Sequence, residues 1–131
     1  MKISTYSRNN ILEGLSFWNV PKDYADPMID YLIYGFEPGS FFTAVLANDF
    51  MGAVQHSHPA NTIPALKQLC EWINNKMPKK CRGSYDKVNK WLEMSEKDRR
   101  AVLVKERLVF TEKEETWMAL QGKPTHEPML F

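Results

Sequence analysis

The chain has 131 residues, 44% of them hydrophobic and 25% charged, with a formal net charge of +1. A chain of this size buries roughly two-thirds of its unfolded surface and has no material for a second core, so we expect one domain. The near-neutral charge argues against wholesale coating of nucleic acid. No stretch reaches the roughly 18 apolar residues of a membrane span, and the N-terminus lacks the apolar region of a signal peptide, so no membrane partner is expected.

Residues 1–24 form the first segment. Polar, aromatic and small residues alternate there without a clear period, which predicts an irregular N-terminal arm. Three aromatic side chains, Phe17, Trp18 and Tyr24, are expected to pack against the rest of the protein, so the arm is predicted to be ordered.

A short helix is predicted from Pro27 to Tyr34. Asp26 accepts hydrogen bonds from free backbone N–H groups, and proline at the first helical position gives up a donor that would be unpaired in any case. Gly35 is expected to close the helix, because glycine readily adopts the left-handed conformation in which many helices end.

The second predicted helix starts at Pro38 or Ser40 and runs to about Gln55. The His-Pro pair at 58–59 ends it, since the residue before a proline is disfavoured in a helix. Placed at 100° steps, the apolar residues form one stripe of the kind that faces a core. The stripe comprises Phe42, Leu46, Phe50, Ala53 and Val54.

The third predicted helix has the cleanest amphipathic pattern in the chain. It is expected to begin with Asn61 as the N-cap and to hold Pro64 in its first turn. Its apolar residues recur at the spacings of three and four that mark one helix face. They are Ile63, Leu66, Leu69, Cys70, Ile73 and Met77.

Two more helix starts follow a basic connector at 78–83. Ser84 is a suitable N-cap, and Ser95 with Asp98 three residues later resembles a start of the same kind. The helix after Ser84 carries a row of apolar residues. These are Tyr85, Val88, Trp91 and Leu92.

The segment 101–110 is ambiguous between helix and strand. We favour a helix, because no partner strand is evident elsewhere. Thr111 and Glu114 then form a capping box for a last helix that should end at Gly122. Residues 124–131 are expected to form a mobile tail.

These elements predict an all-α fold, a compact bundle of five or six short helices in a single domain spanning 1–131. The irregular arm occupies 1–24, the helical core 27–94, the C-terminal helices 95–123 and the tail 124–131. Eight residues are predicted to form the core. They are Phe42, Leu46, Phe50, Leu66, Leu69, Ile73, Val88 and Trp91.

Asp49 and His56 are the candidates for acid/base chemistry. Asp49 borders the apolar stripe of the second helix, and His56 lies two turns further on nearly the same line. Two turns correspond to roughly 10 Å of rise, which is too far for a direct hydrogen bond. We favour a structural role for Asp49, in which it caps another helix or pairs with a buried donor. No catalytic residue is therefore assigned.

The histidines and cysteines offer four possible metal ligands, namely His56, His58, Cys70 and Cys81. Their spacing suits a zinc site poorly, because the two histidines straddle a helix end and Cys70 lies on the apolar row. Two reduced thiols in a cytoplasmic protein are the simpler interpretation. No phosphate-binding glycine motif, dinucleotide fingerprint or H-E-x-x-H motif is present, so neither a cofactor nor a metal is expected.

The positive charge is concentrated in one segment. Residues 76–100 carry nine basic and four acidic side chains, whereas residues 1–60 carry three basic and six acidic ones. Basic residues interleaved with aromatic ones can grip phosphates and stack on bases. Since Trp91 is better explained as core, we predict weak, non-specific affinity for nucleic acid. The candidate contacts to nucleic acid or to a partner are Lys79, Lys80, Arg82, Lys87 and Lys90.

A resemblance extends over roughly residues 27–92. The stretch PGSFFTAVLANDF at 38–50 is followed in order by Trp72, Pro78, Cys-Arg-Gly-Ser at 81–84, Val88 and Trp-Leu at 91–92. This order resembles a family of small phage and prophage proteins of unassigned function. The family commonly shows P-G-S-F-x-x-A-V-L-x-N-D-L, then C-W-G-S-P and V-x-x-W. Here Phe50 replaces Leu, Arg82 replaces Trp and Tyr85 replaces Pro.

The resemblance implies a phage-encoded accessory protein of the host cytoplasm. Such small proteins often bind host machinery or host immune components, so a non-enzymatic host-takeover or anti-defence inhibitor that binds a host protein is our leading hypothesis. A small nucleic-acid-binding protein that uses the basic segment 76–100 is the alternative. An enzyme based on Asp49 and His56 is the weakest hypothesis. The arm before Pro27 and the helices after Ser95 are the expected places for contacts specific to a target.

Overall fold

A computed structural model describes residues 3–121 of the chain. Within this range the protein is all-helical, as predicted, but it contains eight α-helices instead of five or six. The helices are α1 Thr5–Phe17, α2 Ala25–Tyr34, α3 Ser40–Leu46, α4 Phe50–His56, α5 Ile63–Lys76, α6 Tyr85–Glu93, α7 Glu96–Lys105 and α8 Glu112–Leu120. Short 3₁₀ turns at Lys22–Tyr24 and Lys79–Cys81 precede α2 and α6.

Helix α2 lies at the centre of the core. Its side chains are apolar nearly all round, which is the composition of a helix buried on several sides. Met28, Ile29, Tyr31, Leu32 and Ile33 are all fully buried. The helix ends at Gly35, as predicted, in the left-handed conformation with φ of 65°.

Arg99 of α7 is a buried cation that holds the C-terminal end of α2. Its Nε donates to the carbonyl of Ile33 at 3.4 Å and its Nη2 to that of Tyr34 at 3.2 Å, while Nη1 donates to the carbonyl of Met94. The last carbonyls of a helix lack partners within the helix and carry its negative dipole end. The Arg99 guanidinium donates hydrogen bonds to these carbonyls. Glycine at position 35 leaves space for the guanidinium, because a Cβ at Gly35 would lie only 2.7 Å from Nη1 of Arg99.

The predicted irregular arm is wrong over most of its length, because residues 5–17 form α1. Ser4 caps this helix by accepting a hydrogen bond from the backbone N–H of Ser7. The inner face of α1 buries Ser7 and Ser16 beside Ile11 and Leu15. Two serines on the buried face interrupt the periodic pattern of apolar residues, so the sequence pattern does not indicate this helix.

The aromatic residues at the end of the arm have different environments. Tyr24 is buried and Trp18 partly buried, but Phe17 is 70% exposed, contrary to the prediction. The Phe17 and Trp18 rings meet edge to face at 5.2 Å. Phe17 therefore covers its neighbour without entering the core.

The second predicted helix is two helices, α3 and α4, separated by a corner at residues 47–49. Asn48 has a φ of 61°, and asparagine is among the few residues that enter this left-handed region at low cost. Asp49 is the N-cap of the next helix. The carbonyl of Leu46 leaves the helix pattern and accepts from the N–H of Gly83 at 2.7 Å.

The break at this corner changes which residues reach the core. Leu46, Leu69, Ile73, Val88 and Trp91 are buried as predicted. Phe42 and Leu66 are only partly buried. Phe50 was predicted to be core but is 64% exposed, and Val54 of the same predicted stripe is 46% exposed.

Helix α5 starts at Ile63, with Thr62 as its N-cap instead of the predicted Asn61. Asn61 accepts a hydrogen bond from the Tyr24 hydroxyl at 2.8 Å, which fixes the preceding loop. Cys70, predicted as a core residue, is exposed, because Trp72 and Leu69 occupy the inner face.

Helix α2 starts at Ala25, with Tyr24 at the N-cap position in place of the predicted Asp26. The starts of α6, α7 and α8 agree with the sequence. Ser84 accepts from Lys87 N, and Ser95 accepts from Asp98 N. The capping box of α8 is complete. The ambiguous segment 101–110 is helical only to Lys105, after which the chain turns. The predicted helix end at Gly122 and the tail at 124–131 lie outside the described residues.

Candidate functional site

Asp49 lies where three helices meet and uses both carboxylate oxygens. Its Oδ1 accepts from the backbone N–H of Gly52 at 2.9 Å, which caps α4, and its Oδ2 accepts from the Tyr85 hydroxyl of α6 at 2.5 Å. A Cβ at Gly52 would collide with this carboxylate. The Tyr85 bond and then the Gly52 bond lower the pKa of Asp49, and the same contact raises the pKa of Tyr85.

Asp49 and His56 are not assembled as an acid/base pair. His56 is exposed at the other end of α4 and forms no hydrogen bond with any residue of 3–121. Its effect on the pKa of Asp49 is a lowering, and it is smaller than the effects of the Tyr85 and Gly52 hydrogen bonds. The carboxylate is thus occupied by structural donors, and the imidazole has no group to orient it.

The four possible metal ligands are also separated. Cys81 is buried and Cys70 is exposed, and both are free thiols. His58 Nδ1 accepts from the backbone N–H of Ala60 at 3.0 Å, so it closes a local turn. No group of three or more possible metal-binding side chains occurs among the described residues.

The outer surface of α4 carries three large apolar side chains, which we call the α4 ridge. Phe50 is 64% exposed, Met51 78% and Val54 46%. Residues three and four positions apart lie close together on a helix surface, so Val54 adjoins both Met51 and Phe50 and the three side chains form one patch. Tyr85, itself 48% exposed, extends the patch towards α6 through its bond to Asp49.

A second surface feature is a cleft of about 480 Å³ where the end of α5 and the following 3₁₀ turn meet α7. We call it the basic cleft. It contains five cationic side chains and one carboxylate. The cations are Lys76, Lys79, Lys80, Arg82 and Lys105, and the carboxylate is that of Glu106.

The structure divides the basic set predicted from the sequence. Lys79, Lys80 and Arg82 line the cleft, but Lys87 and Lys90 do not. Lys90 forms an ion pair with Asp86 one turn earlier in α6, at 2.9 Å. Lys105 joins the cleft from α7, and sequence reasoning missed it because it is separated from the other lysines by a whole helix.

A partly buried polar cluster joins α1, α7 and α8. The Glu115 carboxylate accepts from the Ser4 N–H at 3.0 Å, from the Ser4 hydroxyl, from the Ser7 hydroxyl at 2.7 Å and from Arg100 at 2.7 Å. These donors hold the pKa of Glu115 below its usual value against the opposing effect of burial. Ser7 is fully buried. It therefore cannot reach a substrate, and the cluster serves to fasten α8 to α1.

None of the helices within residues 3–121 has both the length and the apolar character needed to cross a membrane. Comparisons with models of protein families, with curated proteins and with solved structures found no match.

Proposed function

We propose that this chain is a small phage-encoded accessory protein that binds a host protein in the host cytoplasm, as a host-takeover or anti-defence inhibitor. The α4 ridge is the contact surface in this proposal. The observation that carries it is the exposure of three large apolar side chains side by side on one short helix. Contiguous apolar surface of this kind marks interaction sites more often than isolated exposed residues do.

The ridge is held in a fixed position, which favours binding. Ala53 anchors the inner side of α4 in the core, while Asp49 ties its first turn to Tyr85 of α6. A side chain on a preorganised helix loses less conformational entropy when it meets a partner. Large apolar side chains such as Phe50 are suited to be central anchors of an interface.

The resemblance to phage proteins supplies the biological context of the proposal. It covers α2 to α6 and includes the stretch that forms α3, the corner at 47–49 and the start of α4. By analogy with small phage proteins that bind host machinery or host immune components, we propose a host-defence inhibitor. We propose a non-enzymatic mode of action, because the Asp49 carboxylate is occupied by the Gly52 and Tyr85 donors.

A host pull-down with matched variants tests the proposal. The bait would be the full chain, and the host would be a bacterium that the phage infects. We expect one host protein to be retained in stoichiometric amount, and to form a 1:1 complex when both partners are purified. The double variant Phe50→Ala, Met51→Ala should lose this partner, because it removes the two most exposed side chains of the ridge and leaves the core intact.

Ile63→Ala provides the control, since Ile63 is 69% exposed at the start of α5 and does not belong to the ridge. It should retain the partner. Equal retention of the same protein by the double variant would contradict the assignment of the ridge. Retention of DNA or RNA in place of a protein would contradict the proposed function itself and support the nucleic-acid alternative.

A further inference from the structure

The basic cleft combines high local charge with a lack of neutralising partners. Its lining has five cations and one carboxylate, a local excess of four positive charges in a protein whose formal net charge is +1. Lys76, Lys79, Lys80 and Lys105 form no ion pair with any residue of the described range, whereas Lys90 outside the cleft is paired with Asp86. Like charges gathered on a concave surface repel one another, and a bound anion would relieve this repulsion.

Arg82 gives the cleft a fixed wall. Its Nε donates to the carbonyl of Met77 at 3.1 Å and its Nη2 to that of Asn74 at 3.2 Å. These bonds neutralise the negative end of α5, which would otherwise repel an anion. The Nη1 group of Arg82 has no hydrogen-bond partner among residues 3–121, so it remains a donor for a ligand.

The shape and lining of the cleft define the chemistry of the ligand. A volume of about 480 Å³ is in the range of small-molecule sites. No aromatic side chain lines it, so it offers no platform on which a base could stack. Lysine ammonium groups and a guanidinium are the usual partners of phosphate oxygens.

We propose that the basic cleft binds a compact polyphosphate anion, either inorganic polyphosphate or the triphosphate group of a nucleotide. Lys79, Lys80 and Lys105 surround the anion from two elements, and Arg82 adds a directed donor. The site is separate from the α4 ridge. It does not depend on the identity of any protein partner.

Calorimetric titration of the full chain with inorganic tripolyphosphate, ATP and AMP tests this inference. Tripolyphosphate should bind with 1:1 stoichiometry, and its affinity should fall as salt is raised, because exposed charges are screened over about 8 Å at physiological ionic strength. ATP binding at least about tenfold more tightly than AMP would identify nucleotides as a source of the triphosphate. ATP binding no more tightly than AMP, with tripolyphosphate bound, would leave inorganic polyphosphate as the source.

The matched variants are Lys79→Glu with Lys105→Glu, which reverses two charges in the cleft, and Lys22→Glu with Lys67→Glu, which reverses two charges outside it. The cleft variant should weaken tripolyphosphate binding at least about tenfold, because each reversal replaces an attraction by a repulsion. The outside variant should bind within about a factor of two of the wild type, since neither Lys22 nor Lys67 lines the cleft and exposed charges are screened over about 8 Å.

Three outcomes would overturn the inference. One is the absence of saturable tripolyphosphate binding at low salt. Another is an equal loss of affinity in both double variants. It would indicate that the overall charge of the protein attracts tripolyphosphate and that the cleft is not a specific binding site. The third is a cleft variant that melts at a lower temperature and binds tripolyphosphate as the wild type does, in which case the lysines serve only the C-terminal dipole of α5.

Discussion

Helices α3 and α4 follow one another and have seven residues each, but they contribute differently to the protein. Helix α3 buries Phe41, Ala44 and Leu46, whereas α4 buries only Ala53. Leu46 and Phe50 are four positions apart, and on one continuous helix both would lie on the same face. In the structure the first is 1% exposed and the second 64%.

The corner at 47–49 accounts for the difference. Asn48 adopts the left-handed conformation and Asp49 starts a new helix, so the direction of the chain changes between the two apolar residues. Helix α3 thereby supplies stability, and α4 presents its apolar side chains to solvent. Substitutions along this short stretch separate the two roles.

The largest effect is expected for Leu46→Ala. Leu46 is buried at the end of α3, and removing a buried leucine side chain costs about 2–5 kcal/mol through lost transfer energy and a residual cavity. Urea unfolding followed by circular dichroism would measure the change. Leu46→Met, which keeps the volume, should cost less than about 1.5 kcal/mol. An unchanged midpoint for Leu46→Ala would show that α3 does not face the core.

Asn48→Val tests the corner itself. A β-branched residue at a φ of 61° is strained, and we expect a loss of about 1–2 kcal/mol in the free energy of unfolding. Asn48→Gly should be close to neutral, because glycine enters this region freely but gains entropy in the unfolded chain. If the two variants lose the same amount of stability, the left-handed backbone conformation does not explain why position 48 is an asparagine.

Asp49→Ala removes the N-cap of α4 and the hydrogen-bond acceptor of Tyr85, so it should lower the melting temperature by a few degrees. This loss should be smaller than that of Leu46→Ala. Asp49→Asn keeps a good N-cap and should recover most of the loss. Tyr85→Phe should reproduce only the part of the loss that belongs to the bond between α4 and α6. Differential scanning calorimetry of the three variants separates these contributions.

The hydrogen bonds of Asp49 also predict that the stability of the protein depends on pH. The folded-state pKa of Asp49 lies below its ordinary value of 3.8, so its charged form stabilises the fold above that pH. The contribution is lost as pH falls through the lowered pKa. The difference in melting temperature between the wild type and Asp49→Asn should therefore shrink below about pH 4. A difference that stays constant down to low pH would exclude a role for the charge.

The smallest effect on stability is expected for Phe50→Ala. Phe50 is largely exposed, and surface substitutions usually change the free energy of unfolding by less than about 0.5 kcal/mol. The same variant should weaken binding of the proposed protein partner, because Phe50 is the largest side chain of the ridge. A strong loss of stability in Phe50→Ala would show that Phe50 packs in the core, and it would contradict the contrast with Leu46.

Several helix ends could be predicted because their rules are local. Gly35 ends α2, Ser84 starts α6, and Thr111 with Glu114 caps α8, in each case through a few neighbouring residues. The apolar rows of α5 and α6 also identified Leu69, Ile73, Val88 and Trp91 as core. These features depend on side-chain chemistry within one or two turns, which the sequence displays directly.

The missed features depend on neighbours that are distant in the sequence. Helix α1 was overlooked because its buried face includes Ser7, whose hydroxyl is satisfied by Glu115, 108 residues later. The candidate site shows the same limit. Lys79, Lys80 and Arg82 were identified from their adjacency, but Lys105 enters the basic cleft only through the packing of α7 near the end of α5.

The sequence by itself determined the all-α class, part of the core rows of α5 and α6 and most helix caps, because each follows from periodicity or from hydrogen bonds within one turn. Only the tertiary structure decided that the stripe at 42–54 is broken and that Phe50 and Cys70 face solvent. Burial is a property of the surrounding elements, and a side chain on an apolar row stays exposed when no other helix covers that part of it.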